Sequence, residues 1–136
     1  MGVRGAAVER APEAPEAAEV ARRFLSALEA RDLDTAATAL APGCTLVFPG
    51  APPMTSLAEV LAWARPRYRF VGKTIAAIEV FPAGDASIVY VRGTLHGAWP
   101  DGRAFDGVRF IDRFEIAAGQ IVRQEVWNDL AEARGA

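Results

Sequence analysis

A single carboxylate interrupts an apolar face in the C-terminal third of the chain. Between Val108 and Ile116 every second residue is apolar except Asp112, which lies between Phe110 and Phe114 in this series. Successive strand residues point to opposite faces of a sheet, so this alternation predicts that Asp112 faces a core or a cavity. A carboxylate there costs several kcal/mol unless it is paired, protonated or hydrated. Asp112 is therefore the candidate acid or hydrogen-bond donor of a ligand site.

Three polar side chains on the preceding predicted strand could act with Asp112. Tyr90, Arg92 and His96 share one face of a strand whose other face is valine, glycine and leucine. If the strands pair regularly from the turn between them, Tyr90 lies opposite Asp112 and Arg92 lies one diagonal away. Arg92 or Tyr90 would then orient the carboxylate. His96 would be the candidate proton acceptor, since imidazole titrates near neutral pH.

This arrangement depends on regular pairing of the strands. Asp106–Gly107 could hold a β-bulge that changes the register. On the other side of Asp112, the turn at 117–119 places Gln124 opposite it under the same assumption. Two alternatives remain open for Asp112: a buried ion pair with Arg92 that only stabilises the fold, or a register in which the carboxylate lies outside the pocket.

Apolar side chains are predicted to line a cavity around Asp112. The candidate ligand-binding residues are Phe24, Phe48, Trp63, Phe110, Phe114, Gln124, Val126 and Asn128. For the aromatic residues the alternative is plain core packing, which gives the same spacing. Because the set is mainly apolar, the expected partner is a small apolar molecule.

Length and composition predict one soluble domain with neither a nucleic-acid nor a membrane partner. The chain has 136 residues, of which 51% are hydrophobic and 24% are charged, and its net charge is −2. That size suits a single domain. No basic stripe is interleaved with aromatic residues, and no apolar run approaches the roughly 20 residues that span a membrane. The N-terminus lacks the apolar core of a signal peptide, so a cytoplasmic location is expected.

Cysteine and histidine are too scarce for a metal centre. Cys44 is the one cysteine and His96 the one histidine, whereas a structural zinc site needs about four ligands. Cys44 is expected to be a small buried side chain. No metal and no organic cofactor are predicted.

The candidate site needs helices and a sheet to position it, and the residue pattern predicts both. An amphipathic helix is expected from about Pro15 to Arg31. A short second helix follows in TAATAL, and a third begins after Thr55 or Ser56 and ends near Pro66. Strands are predicted at about 45–48, 72–81, 86–98, 104–117 and 120–128. Helices that precede a run of antiparallel strands indicate an α+β fold.

One domain is expected between two tails. Residues 1–13 are rich in alanine, glycine, proline and charge and show no periodicity, which is typical of a flexible tail. Residues 14–130 are predicted to form the domain, and residues 131–136 are predicted to be a C-terminal tail.

Three segments resemble the nuclear transport factor 2-like superfamily. They are FLSALEARDLD, APGCTLVFPG and FIDRFEIAAGQIVRQEVWND, within a similarity that covers about residues 15–130. The superfamily includes ketosteroid isomerase, limonene-epoxide hydrolase and the SnoaL-like polyketide cyclases. The resemblance implies a SnoaL-like cone, in which a curved antiparallel sheet is wrapped by three helices and holds an internal pocket. The same fold serves both enzymes and non-catalytic binders.

The resemblance to ketosteroid isomerase implies a role for Asp112 and the loss of two other groups. Asp112 matches the aspartate that donates a hydrogen bond to the developing oxyanion in that enzyme. The position of its tyrosine donor falls on Phe24. The position of its general base, an aspartate before a proline, falls on Phe48. The usual ketosteroid isomerase route therefore lacks a donor hydroxyl and a base in this chain.

The resemblance to limonene-epoxide hydrolase implies a partial match. That enzyme uses an Asp-Arg-Asp set to activate water and protonate the epoxide. Arg92 matches the arginine, but the two aspartate positions fall on Thr94 and Val126. Without the two carboxylates, the epoxide hydrolase mechanism is not expected.

Two functions remain open. The first is an enzyme of the isomerase or cyclase type that uses Asp112 as an acid or hydrogen-bond donor on a small apolar molecule. The second is a non-catalytic module that binds a hydrophobic ligand or serves as a dimeric scaffold. The resemblance also implies a homodimer through the outer sheet face. Trp127 alternates onto that charged face and would be an interface anchor.

Overall fold

Four helices and five strands are present in residues 14–135, which are the residues that the computed structural model describes. The helices are α1 (Ala14–Glu29), α2 (Leu33–Thr38), α3 (Leu57–Ala64) and α4 (Leu130–Gly135). The strands are β1 (Leu40–Val47), β2 (Phe70–Ala83), β3 (Ala86–Ala98), β4 (Ala104–Ala117) and β5 (Gln120–Asn128). The three predicted helices and five predicted strands are therefore present, but β1 begins at Leu40, well before its expected start at about residue 45. The flexible tail predicted at 1–13 lies outside the described residues.

The sheet is mixed, with the strand order β1-β5-β4-β3-β2. Strands β2 to β5 pair antiparallel with their sequence neighbours, whereas β1 runs parallel to β5. The predicted α+β class is confirmed, although the edge strand β1 makes the sheet mixed rather than purely antiparallel. We call the face of the sheet that meets the helices the inner face and the opposite one the outer face.

Helices α1 and α3 lie over the inner face. Along α1, Ala17, Ala21 and Phe24 are buried at the spacing of one helix face. Helix α3 begins with a capping box: Ser56 Oγ accepts a hydrogen bond from the Glu59 N–H at 3.2 Å, and Glu59 Oε1 accepts one from the Ser56 N–H at 3.1 Å. Among residues 14–135, no helix combines the length and the apolar character needed to cross a membrane.

Helix α4 is formed by residues most of which were predicted to be a C-terminal tail. Asn128 Oδ1 accepts a hydrogen bond from the Leu130 N–H at 3.1 Å, which satisfies one of the free donors at the start of the helix. Leu130 and Ala133 pack against the hydrophobic core. The domain therefore extends to the end of the described residues.

A bulge between β3 and β4 decides which residues of β3 face inward. After the first pairs next to the turn, the register shifts by one residue, so that Val91 and not Tyr90 lies opposite Asp112. Gly107 lies within this irregular region and has a φ of 68°, a left-handed conformation that glycine adopts readily. A one-residue shift moves every side chain beyond it to the other face of the sheet. The even-numbered residues of central β3 therefore point outward.

A second shift affects β5. Asp112 pairs with Val126 rather than with Gln124, and Gln124 lies opposite Phe114. Gln124 and Val126 are nevertheless both buried. The prediction that Gln124 lies directly opposite Asp112 is wrong by two residues, which leaves Gln124 on the predicted inner face.

The β2–β3 pairing requires a glycine at position 93. A Cβ atom on Gly93 would lie 2.0 Å from Thr74 O and 2.9 Å from Ala76 N, and both are backbone atoms. We expect Gly93→Ala to lower the free energy of unfolding by about 3 kcal/mol or more, because the two strands must move apart. Urea denaturation followed by circular dichroism measures this change.

Gly107→Ala is the matched control for this substitution. A Cβ atom at Gly107 meets nothing within 4 Å, so only its left-handed φ opposes alanine. That conformation costs an L-residue about 1–2 kcal/mol. Equal losses in the two variants would show that the backbone contact at Gly93 does not matter.

Candidate active site

Asp112 is fully buried at the centre of β4, on the inner face. Its neighbours across the sheet are Val91 and Val126. Among the described residues, neither carboxylate oxygen has a hydrogen-bond partner. A buried carboxylate in apolar surroundings destabilises the fold by several kcal/mol unless its charge is paired or neutralised. The alternation of the sequence predicted the inward position, and this environment makes Asp112 the centre of the candidate site.

Lys73 of β2 supplies the charge that faces Asp112. Lys73 Nζ lies 3.7 Å from Asp112 Oδ2, which is too long for a good hydrogen bond but close enough for a strong charge attraction. The lysine side chain is 24% exposed, and its Nζ lies 5.1 Å from the centre of the Phe110 ring. Glu29 Oε1 accepts a hydrogen bond from the Lys73 backbone N–H at 2.9 Å, which links β2 to α1.

Lys73 was missed by sequence reasoning, although a signal for it exists. Val71 and Ile75 pack against the core, and Lys73 lies between them on the same side of β2. A bulge between Ile75 and Ala77 then interrupts the alternation of the strand. The available signal was the one lysine of the chain at an inward position of an apolar strand.

Burial sets the protonation of the two acidic groups near this site. Burial raises the pKa of the Asp112 carboxyl above its ordinary value, and the Lys73 ammonium group opposes that rise. Burial also raises the pKa of the Tyr68 hydroxyl; Arg31 and Arg67 oppose this rise, and the Asp112 carboxylate adds to it. Both groups are therefore biased towards their protonated, hydrogen-bond-donating forms.

A cavity of about 70 Å³ lies beside Lys73, between the helices and the inner face. Its lining includes Leu28, Glu29, Val60, Tyr68, Lys73 and Gln124. Asp112 does not line this cavity and lies behind Lys73. The volume can hold a few water molecules, whereas pockets for small-molecule ligands have roughly 300–1,000 Å³.

Two larger clefts open at the surface next to this cavity. One has about 450 Å³ and includes Trp63, Trp99 and Arg134 in its wall. The other has about 500 Å³ and includes Arg69. Tyr68 lines both clefts and the inner cavity. We call the surface around Tyr68 the mouth, since this ring lies between the inner cavity and both clefts.

Two predicted partners of Asp112 lie on the outer face. The Arg92 side chain is exposed, and its Nε lies 3.9 Å from Glu79 Oε1. Tyr90 packs edge to face on Phe81, with ring centres 6.0 Å apart. The predictions that Arg92 pairs with Asp112 and that Tyr90 lies opposite it are wrong, because the β3–β4 bulge turned both side chains outward.

His96 also lies away from the inner cavity. A Cβ atom on Gly72 would be 2.5 Å from His96 Nε2, so the imidazole covers Gly72. Gly72 precedes Lys73 in β2, and successive strand residues face opposite ways, so this is the outer side of the strand. The structure therefore does not bring His96 to Asp112 as a proton acceptor.

Three of the predicted lining residues belong to the core. Phe24, Phe110 and Phe114 are almost completely buried. The rings of Phe24 and Phe114 meet edge to face, with centres 6.0 Å apart. Phe24 and Phe114 therefore pack as core residues, whereas Phe110 also borders a cleft of about 910 Å³ whose lining includes Ile111 and Trp127.

The remaining predicted lining residues surround cavities of different kinds. Phe48 and Gln124 line the inner cavity. Trp63 and Asn128 line the 450 Å³ cleft. Val126 is buried opposite Asp112 and lines the 910 Å³ cleft, as do Phe48 and Asn128. The predicted lining residues are therefore distributed between the inner cavity, the mouth, the 910 Å³ cleft and the core.

Comparisons with known proteins support the fold and a family. A family model described as a SnoaL-like domain matches residues 21–124. Comparison with curated proteins gives no significant match.

Many solved structures have the same fold. An NTF2-like protein of unknown function from Burkholderia pseudomallei is 22% identical, with a TM-score of 0.70 over 85% of this chain and 92% of that one. A protein classed as a SnoaL-like polyketide cyclase from Jannaschia is 21% identical, with a TM-score of 0.70 over 93% and 94%. An LEH-like epoxide hydrolase from M. tuberculosis is 21% identical, with a TM-score of 0.66 over 91% and 90%. Similarity at these identities supports the fold alone.

The raised pKa of Asp112 predicts a pH-dependent response to Asp112→Asn. The unfolded chain releases this proton at the ordinary pKa, whereas the folded chain retains it to higher pH. Stability from the protonated carboxyl is therefore complete below the ordinary pKa and declines as pH rises towards the folded-state pKa. We expect the melting temperature of Asp112→Asn, relative to wild type, to rise as the pH increases above about 4, the ordinary pKa of an aspartate carboxyl.

Differential scanning calorimetry across this pH range measures the difference. Asp85→Asn, in the exposed turn between β2 and β3, is the matched control because its carboxyl is in water. A relative melting temperature of Asp112→Asn that stays flat or falls with pH would contradict the raised pKa.

Proposed function

Since the chain belongs to the SnoaL-like domain family, we propose that it binds a small, mainly apolar carbonyl compound beside Lys73 and catalyses a proton transfer of the isomerase or cyclase type. The observation that carries the proposal is the fully buried Asp112, which makes no hydrogen bond to a described residue and whose partner Lys73 lines a cavity. Buried ion pairs contribute little to stability, and perturbed carboxyls are common at functional sites.

Three polar groups have separate roles in the proposed proton transfer. The Lys73 ammonium group donates a hydrogen bond to the carbonyl oxygen and stabilises the negative charge that develops there. The Glu29 carboxylate, which also lines the cavity, accepts the proton from the carbon next to the carbonyl. If the compound has a neighbouring C=C bond, the product is a dienolate, and Glu29 returns the proton to its far carbon. Asp112 positions the ammonium group from behind, so direct contact between Asp112 and a ligand requires displacement of Lys73.

Entry of a ligand requires movement of Tyr68. The inner cavity of about 70 Å³ is too small for such a compound, whereas the adjoining clefts have about 450 and 500 Å³. Because Tyr68 lines all three spaces, rotation of its ring would join them. The tyrosine hydroxyl, biased towards its protonated form, would then be a second donor for the bound oxygen.

The small cavity favours a second candidate function. A carboxylate already paired with Lys73, beside a space for a few water molecules, also suits a module that binds a ligand without chemistry. The two functions differ in one measurable property, which is exchange of the ligand's protons with solvent.

Proton exchange in D2O separates these functions. With 2-tetralone as the first probe, we expect the wild type to accelerate deuterium incorporation next to the carbonyl, measured by NMR. Lys73→Met should lower that rate by about 100-fold, the effect of losing one donor to a developing oxyanion. Arg92→Gln, on the outer face, removes one cation and should retain the rate.

The outcomes of this experiment are distinct. A thermal shift with 2-tetralone but no exchange supports the binding module and excludes the enzyme. If Lys73→Met incorporates deuterium as fast as the wild type, Lys73 has no role in the mechanism. If apolar ketones, epoxides and steroids all fail to shift the melting temperature, both functions are contradicted.

We also propose that the chain forms a homodimer through its outer face. Ile111 and Trp127 pair across β4 and β5 and are 42% and 51% exposed. Two adjacent large apolar side chains, on a face that also exposes Phe81, are typical of an interface centre.

Ile111→Arg should convert this dimer into a monomer, because it places a charge at the interface centre. Sedimentation velocity at micromolar concentration measures the change. Ala62→Arg, which adds the same charge on the exposed side of α3, is the control and should remain dimeric. A wild type that sediments as a monomer would remove the proposal.

A further inference from the structure

The mouth concentrates arginine side chains in a chain whose net charge is negative. The two clefts around Tyr68 are bordered by five arginines: Arg31, Arg65, Arg67, Arg69 and Arg134. The whole sequence has a net charge of −2. The positive charge is therefore a local property of this surface.

None of these five arginines forms a close ion pair with a carboxylate of residues 14–135, although, after the hydrogen bonds from Arg103, the charge of Arg134 contributes to lowering the pKa of the Asp101 carboxyl. Arginines elsewhere on the chain do form ion pairs with carboxylates: Arg23, Arg92, Arg103, Arg109, Arg113 and Arg123. At the mouth, Arg67 and Arg69 donate to backbone carbonyls instead, at 2.8 Å and 3.1 Å. The remaining N–H groups of Arg67 and Arg69 are therefore available to bind an anion at the mouth.

Two of these guanidinium groups lie over tryptophan rings in the wall of the 450 Å³ cleft. Arg67 Cζ is 4.3 Å from the centre of the Trp63 ring, and Arg134 Cζ is 5.7 Å from that of Trp99. Trp99 is itself held by Phe105, with ring centres 4.4 Å apart. The cleft thus presents aromatic surface and arginine donors side by side. Because stacking already orders these arginine side chains, they lose less conformational entropy when they bind an anion.

We infer that this cleft binds the carboxylate of an aromatic organic acid. The planar carboxylate matches the fork of N–H donors on a guanidinium group, and the aromatic body packs against Trp63 and Trp99. The acid group stays at the mouth, while the apolar end points past Tyr68 towards Lys73. This last feature rests on the proposed function, whereas capture of the carboxylate at the mouth does not.

Calorimetric titration with 2-naphthoate and 2-naphthamide tests the inference, because the two probes share one aromatic body and differ in charge. We expect naphthoate to bind about tenfold more tightly than the amide, the difference that about 1.4 kcal/mol produces. Arg67→Gln with Arg134→Gln should abolish the difference. Raising the salt concentration should reduce it.

Arg92→Gln with Arg109→Gln is the matched control, since it removes two exposed cations from the outer face. Retention of the preference in this control supports the cleft as the site. Equal affinities of the two probes, absence of naphthoate binding, or an equal loss in the control pair would overturn the inference.

Lys73→Met separates this inference from the proposed function. If Lys73→Met keeps the preference for naphthoate, and neither the wild type nor this variant accelerates proton exchange, the result supports the mouth site and contradicts the proposed enzyme activity. Proton exchange by a wild type that does not distinguish acid from amide has the opposite meaning, because it removes the mouth site alone.

Discussion

The attraction between Lys73 and Asp112 is the interaction on which the interior of this domain depends. Asp112 has lost all contact with solvent and accepts no hydrogen bond from a described residue, so the nearby ammonium group is its main compensation. That group reaches Asp112 because β2 turns Lys73 inward and because Glu29 holds its backbone against α1. Removal of Lys73 would leave the fully buried Asp112 carboxyl without a partner, and for this reason the pair constrains both the sheet and the first helix.

The two faces of the sheet have different physical characters as a result. The inner face combines the ion pair with tightly packed aromatic rings such as Phe24 and Phe114, and it has little free volume. The outer face carries charged pairs and exposed apolar residues that include Phe81, Ile111 and Trp127. Two clefts lie at the mouth, where Tyr68 borders both, and a third cleft of about 910 Å³ is lined by Arg92, Ile111 and Trp127. Binding, chemistry and association are therefore proposed for three separate regions.

Most of the fold could be predicted from the sequence, because periodic patterns and turn residues indicate the first three helices, the five strands and the apolar side of β4. The inward position of Asp112 followed from that alternation alone. Its partners could not be predicted in this way, since the register depends on a bulge near Gly107 that adds one residue to one strand. That single residue exchanged Tyr90 for Val91 opposite the carboxylate and turned Arg92 towards solvent. Lys73 comes from a strand that is not adjacent to β4, and sequence spacing contains no information about such a contact.

The scarcity of lysine has a practical chemical consequence. The chain has one lysine, and its ε-amine borders the inner cavity with 24% of its side chain accessible. An amine-directed acylating reagent would therefore have one side-chain target, besides the α-amino group of the chain. A carbonyl compound that condensed with this amine could be fixed by borohydride reduction and identified by its added mass. The molecule thus contains, without engineering, a single covalent attachment point at its candidate site.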